Sequence, residues 1–249
     1  MNAALRLIAF DFRLYFRDWM TLFWILIYPP LMLLIFGSMY GDQPGVVAGT
    51  RYIESYVAAL CVMNVVTVSV FTLNINIVTN REKGNLRRYR ATPLPISAIL
   101  ASHSVQGLFL VLAGTAEILL IAKLVWDIRI AFATLGGLLA VLLLGCLGFF
   151  SLGFALSGLA RTTGAASGLA MIVFFPMMFL SGVAMPVAFL PEAMQAIGNA
   201  LPMKYLVEMG QGVWAGQSLG EFPLGLSVLA GFAVLAWALA FLLFRWENR

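Results

Sequence analysis

Six apolar stretches, each about 18 residues or longer, divide this 249-residue chain and leave only short polar segments between them. Hydrophobic residues make up 62% of the sequence and charged residues 10%, where soluble globular proteins carry about a quarter charged. There are too few polar side chains to cover a water-soluble core of this size. The pattern implies an integral membrane protein, all-α, with the whole chain (residues 1–249) as a single transmembrane domain.

The expected spans are residues 19–40, 53–78, 98–124, 132–160, 164–185 and 224–244. Pro29 and Pro30 fall near the middle of the first, where their missing amide donors should kink or loosen the helix. The fourth is rich in Gly and Ser, including Gly145, Gly148, Ser151, Gly153 and Ser157, which permits close approach of neighbouring backbones. Residues 1–18 are too charged to span. On a helix, Arg6, Arg13 and Arg17 form one stripe and Leu5, Ile8, Phe12 and Tyr15 another, which suits an interfacial helix, with a cytosolic tail as the alternative. This N-terminal segment lacks a secretory pattern, so the first span is expected to stay in the mature protein. Residues 186–223 are neither apolar enough to span nor plainly polar. They read as one or two short re-entrant helices dipping into the outer leaflet, or as an interfacial loop.

Lys and Arg set the orientation. Arg6, Arg13, Arg17, Arg81, Lys83, Arg87, Arg88, Arg90, Arg161, Arg245 and Arg249 fall on one side, whereas Arg51, Arg129 and Lys204 fall on the other, with Lys123 at a boundary. By the positive-inside rule both termini and the block Asn80–Pro95 are cytosolic, in a bacterial inner membrane. The block, NREKGNLRRYRATPLP, is the only dense run of charge in the sequence. Its arginines would attract anionic lipid headgroups at about 1 kcal/mol each. The Glu82–Gly84 pair, Leu86 and the Pro-terminated turn give the segment more shape than a lipid anchor needs, so docking of a soluble partner is expected as well.

Two stretches carry a family resemblance. Arg81-Glu82-Lys83-Gly84-Asn85-Leu86, followed by Ala91-Thr92-Pro93-Leu94, resembles the coupling-helix signature of type-2 ATP-binding cassette (ABC) exporter permeases, the superfamily of daunorubicin-resistance and polysaccharide-export membrane subunits. Leu180-Ser181-Gly182-Val183 through Pro186, then Leu190-Pro191 and Leu201-Pro202 before Tyr205, is similar to that family's pattern after the fifth span. Asn85 stands where Thr is usual, and Arg88, Tyr89 and Arg90 fill positions more often apolar. The resemblance implies a coupling helix over residues 80–95, with Arg81, Glu82, Lys83, Gly84, Leu86, Arg87, Arg88 and Arg90 facing a dimeric cytosolic ATPase. It also implies pairing with a second copy or a related permease, so that spans two and five face each other across a pathway.

The lysines lie in no G-x-x-x-x-G-K-[ST] loop, so the chain carries no ATP-binding loop of that kind and is not expected to be an enzyme itself. ATP and Mg would belong to the partner, no other cofactor is expected, and neither is a nucleic-acid partner. In the second span Asn64, Thr67 and Asn74 share one face, while Ser69, Thr72, Asn76 and Thr79 occupy another. Polar groups on two faces place this helix between protein neighbours, as interhelical hydrogen-bond partners or as pathway lining. In the fifth span Met171, Phe175, Met178 and Phe179 are soft or flat side chains suited to varied apolar cargo, or to packing alone.

Glu117 is an acid in the middle of the third span, where a charge costs roughly 2.5–3.5 kcal/mol on insertion scales, so it should face protein or water. A structural hydrogen-bonded or protonated carboxyl, a coupling or cargo contact and an outer-interface position all stay open. His103, the only histidine, cannot build a metal site alone, and Cys61 and Cys146 read as buried thiols.

The leading expectation is the permease of an exporter for a hydrophobic or amphipathic compound of drug, lipid or glycolipid class, including multidrug efflux. The alternative is an ATP-independent secondary transporter or channel. Glu117 and His103 form no proton relay, and the two halves show no inverted repeat. A membrane-embedded enzyme lacks any hydrolytic motif.

Overall fold

The computed structural model describes residues 23–85, 96–184, 187 and 190–243. The architecture is all-α. In chain order the helices are α1 (Phe23–Tyr40), α2 (Tyr52–Glu82), α3 (Ile96–Trp126), α4 (Phe132–Leu159), α5 (Thr163–Leu180), α6 (Glu192–Gly198), α7 (Pro202–Trp214) and α8 (Pro223–Leu243). Six of them, α1 to α5 and α8, are long and apolar enough to cross a membrane. The expected interfacial helix over 1–18 and the segment 86–95 lie outside the described residues.

Helix α2 is the axis of the bundle. Its apolar window is 100% buried, against 17% for α8 and 28% for α1 and α5. The two polar faces read from the sequence explain why, because each gives a side chain to a different neighbour. Asn64 Nδ2 donates to the Val111 carbonyl of α3 at 3.3 Å, Ser69 Oγ to the Phe149 carbonyl of α4, and Asn74 Nδ2 to the Ala166 carbonyl of α5 at 3.1 Å. Lipid would leave these groups unmatched, at a cost of about 1–3 kcal/mol each.

Glycines let the neighbours come close enough for these bonds. A Cβ at Gly153 of α4 would collide with the main-chain oxygen of Ser69, and one at Gly114 of α3 with the Asn64 amide. The Gly-rich stretch of α4 thus serves as the surface on which α2 and α8 rest, since Gly158 stands equally tight against the Leu243 carbonyl.

The two prolines of α1 go with a loosened helix rather than a mid-helix kink. The chain enters as a π-helical turn, Phe23–Ile27, and tightens to an α-helix at Tyr28, so that Pro29 and Pro30 fall in the first α-turn. There a missing amide leaves no intrahelical bond unmade. A second π-helical segment, Val68–Leu73, interrupts α2. The wide turns meet. Trp24 stacks on Phe71 at 5.2 Å with 5° between ring planes, and Phe174 of α5 packs edge-on against both rings.

Helix α5 ends at Leu180, whereas α2 continues past Val78 to Glu82. With about 1.5 Å of rise per residue, the 18 residues of α5 reach roughly 27 Å and the 31 of α2 roughly 46 Å. Helix α7 occupies the difference. Its buried face, including Leu206, Val207 and Val213, lies along α2 and α4, where Gly145 and Gly137 make room for Leu206 and Val213. Gln211 Nε2 donates to the Ser55 carbonyl at 3.3 Å, fixing α7 beside the first turn of α2. The stretch after α5 is therefore two helices, α6 and α7, with Gly198 against the Leu180 carbonyl.

Candidate functional site

A cavity of about 780 Å³ opens where α1, α2 and the end of α5 meet, on the side of the bundle carrying the loop 41–51. Its walls originate in a local sequence feature. Phe36 and Tyr40 lie one turn apart at the end of α1, and Tyr52 and Tyr56 one turn apart at the start of α2, so each pair shares a helix face. The loop between them folds back tightly. Tyr52 N donates to Gln43 O at 2.7 Å and Gly45 N to Thr50 O at 2.8 Å, with Pro44 and Arg51 bridged in antiparallel fashion. Glu54 caps the start of α2 by accepting from Arg51 N at 3.0 Å.

This hairpin brings the two pairs together as a closed quartet. Ring centroids lie 6.3 Å apart for Phe36–Tyr40, 5.8 Å for Tyr40–Tyr52, 5.4 Å for Tyr52–Tyr56 and 5.7 Å for Phe36–Tyr56. Across the cavity stand Met178 and Phe179 of α5, with Met32 and Met63 between. Gly182, at φ +89°, turns the chain after α5 so that Val183 and Ala184 complete that wall. Tyr28 Oη donates to Met178 Sδ at 3.5 Å and ties α1 to α5.

Among the described residues, no carboxylate, lysine, arginine or histidine lines the space. Its size falls within the roughly 300–1,000 Å³ of small-molecule sites. Flat rings and polarisable sulfurs offer contact area without fixed charge, which suits an apolar or amphipathic molecule and discourages an anion.

The residues singled out from sequence fall in different places. Met178 and Phe179 line the cavity, whereas Phe175 packs with Trp24 and Phe174 at 6.5 and 5.7 Å, and Met171 is exposed on the outer surface of α5. Asn64 and Asn74 are wholly buried against α3 and α5, and Thr67 Oγ1 donates to Met63 O at 3.0 Å within its own helix. Glu117 is half-buried on α3, and its Oε2 meets no hydrogen-bond partner among the described residues. His103 is buried. No group of three His, Cys, Asp or Glu gathers among the described residues in a way that could hold a metal. The aromatic quartet escaped the sequence reading, although its signal is there: i, i+4 aromatic pairs on both sides of a short loop.

At the opposite end, the first residues of the charged block, through Glu82, belong to α2. Arg81 is buried, and its guanidinium donates to Ser157 O at 2.8 Å and to Ala160 O, the last carbonyls of α4. Glu82 is exposed and accepts from Thr163 Oγ1 at the start of α5. Lys83 caps α2, and Gly84, at φ +71°, ends it. Leu86, Arg87, Arg88 and Arg90 lie outside the described residues.

Among the described residues a Cβ at Gly84 would touch nothing, so Gly84→Ala tests backbone conformation there. The left-handed conformation should cost alanine about 1 kcal/mol, a drop of some 2–4 °C in thermal unfolding followed by scattering or tryptophan fluorescence. An unchanged midpoint would mean that the chain leaves α2 by another route.

Comparison with known proteins gives concordant matches. The profile of a family described as ABC-2 type transporter matches residues 3–214. The daunorubicin resistance ABC transporter permease protein DrrB1 of Streptomyces coeruleorubidus is 28% identical over 229 residues, covering 90% of this chain and 79% of that protein. YvfS of Bacillus subtilis, provisionally named a transport permease, is 29% identical over 160 residues, or 64% of this chain and 63% of YvfS, under two thirds of its length. Nodulation protein J of Sinorhizobium fredii is 26% identical over 221 residues, 85% of this chain and 80% of that protein.

Proposed function

The chain belongs to the ABC-2 type transporter family, and from that premise we propose that this multi-pass membrane protein is the permease of an ATP-driven exporter. A separate cytosolic ATPase binds ATP and Mg and docks on the segment Lys83–Pro95, because Arg81 is buried against the end of α4 and Glu82 is engaged by Thr163. The cargo is a hydrophobic or amphipathic compound, and two permease chains, either two copies of this one or this one and a relative, enclose its path. Both termini and the basic end face the cytosol of a bacterial inner membrane, in keeping with the Lys and Arg distribution.

The observation that carries the cargo class is the charge-free aromatic cavity between α1, α2 and α5. It stands at the end opposite the docking segment, so closing of the ATPase and release of cargo would act on the two ends of one helix, α2. The likeness to DrrB1, whose name attaches that protein to daunorubicin resistance, favours the drug side of the class.

The test is purification and reconstitution. A tagged permease taken from native membranes should bring an ATPase with it, and vesicles holding both should accumulate a hydrophobic dye only with ATP. Uptake that persisted without the ATPase and followed a proton gradient would overturn the reading in favour of a secondary transporter.

A further inference from the structure

The end of α2 holds two helix ends at once, through neighbouring residues of opposite charge. Arg81 donates to the Ser157 and Ala160 carbonyls that close α4, and Glu82 accepts from Thr163, the first residue of α5. A cation on the C-terminal carbonyls of one helix and an anion at the N-terminus of the next is the arrangement both helix dipoles favour. The turn between α4 and α5 is only Ala160–Thr162 long, so a single basic–acidic pair spans it.

The Glu82 contact has directional detail. The single hydroxyl proton of Thr163 goes to the carboxylate, so Thr79 Oγ1, 3.2 Å away on α2, is the donor to Thr163 Oγ1. Thr79, Thr163 and Glu82 thus form a short relay that grips the first residue of α5 from two positions one turn apart on α2. Thr162 Oγ1, by contrast, accepts from Ala165 N at 3.2 Å and serves α5's own cap. From Thr163, α5 runs without interruption other than Pro176 to Met178 and Phe179 in the cavity wall.

We infer that Glu82 and Thr163 are positioning residues that pass displacement of the docking segment to α5, so that the cavity wall moves with the first turn of α5 and not only with α2. The inference rests on the ATP-driven reading above. Exposed polar contacts of this kind contribute little to folding, so their loss should leave the bundle intact and affect transmission.

The experiment uses the full permease–ATPase complex in lipid nanodiscs. Spin labels are placed at Ile172 of α5 and Val234 of α8, both exposed, and labelled permease is diluted with unlabelled copies. The native cysteines, Cys61 and Cys146, are buried and stay unlabelled. The label distance is measured with and without ATP plus vanadate in the wild type, Thr163→Val, Thr163→Ser and Glu82→Gln. The inference expects a nucleotide-dependent shift in the wild type and in Thr163→Ser. In Thr163→Val and Glu82→Gln the shifted population should fall about fivefold or more, the lower bound of a typical coupling between sites, with ATPase binding and basal hydrolysis retained.

A full shift in both disrupted variants would overturn it, as would loss of ATPase binding in either, which would make the pair a docking element. Glu82→Gln keeps the side chain's shape and provides the readout if Thr163→Val fails to assemble. Absence of any shift in the wild type would overturn the inference alone, whereas absence of an ATPase to bind would bring down the ATP-driven reading itself and the inference with it.

Discussion

Gly153→Val is expected to prevent recovery of folded protein from membranes. A side chain there meets the Ser69 carbonyl, which is main chain and cannot rotate away. Overpacking of a core costs about 1–3 kcal/mol when side chains can yield, and here the helices themselves would have to separate. Separation would also break the bond from Ser69 Oγ to the Phe149 carbonyl and expose the Val68–Leu73 segment of α2. The measurement is the fraction of detergent-extracted protein that elutes as a single species, alongside its thermal midpoint. Gly136→Val is the control, because among the described residues a Cβ at Gly136 has no neighbour within 4 Å. Equal recovery of the two variants would show that α2 and α4 are not held in contact at Gly153.

Two phenylalanines four residues apart on α5 should separate transport from stability. Phe179 is exposed to the cavity, and Phe179→Ala should lower ATP-dependent uptake of hydrophobic dyes about tenfold, equivalent to about 1.4 kcal/mol of cargo contact, at an unchanged thermal midpoint. Phe175→Ala removes ring contacts with Trp24 and Phe174, each worth about 0.5–1.5 kcal/mol, and should lower the midpoint while sparing uptake. Loss of uptake from Phe175→Ala with none from Phe179→Ala would move the cargo path off the aromatic cavity. Dye-stimulated ATP hydrolysis provides the second readout.

Much of the fold could be read directly from residue order, because hydrocarbon permits few solutions. Six apolar runs gave six helices, and Asn64, Ser69 and Asn74 on two faces of one run marked it as the helix surrounded by protein. Other features needed three dimensions. Pro29 and Pro30 pointed to a kinked or loosened helix, and only the structure shows that the loosening is a π-turn before them and that they start the α-helix that follows. Arg81 read as a surface charge for a partner, since sequence spacing cannot reveal that the carbonyls of Ser157 and Ala160 end beside it.

The cavity was half visible. Met178 and Phe179 stood out as adaptable side chains in α5, whereas Tyr52 just before the second expected span and Tyr56 within it were passed over. Their significance depends on the loop 41–51 folding back so that they face Phe36 and Tyr40. Pairing across a turn of that length is a tertiary fact, fixed by the Gln43–Tyr52 and Gly45–Thr50 backbone bonds.

The complete burial of the apolar window of α2 also determines what the bilayer can do to this protein. Among the described residues, the apolar windows of five membrane-length helices leave surface uncovered by the chain, and that of α2 leaves none. A thicker or thinner membrane, or a change of acyl composition, exerts hydrophobic mismatch on the tilt of the peripheral helices alone. The central helix senses its solvent only through the packing of its neighbours, like a spindle turning inside a sleeve.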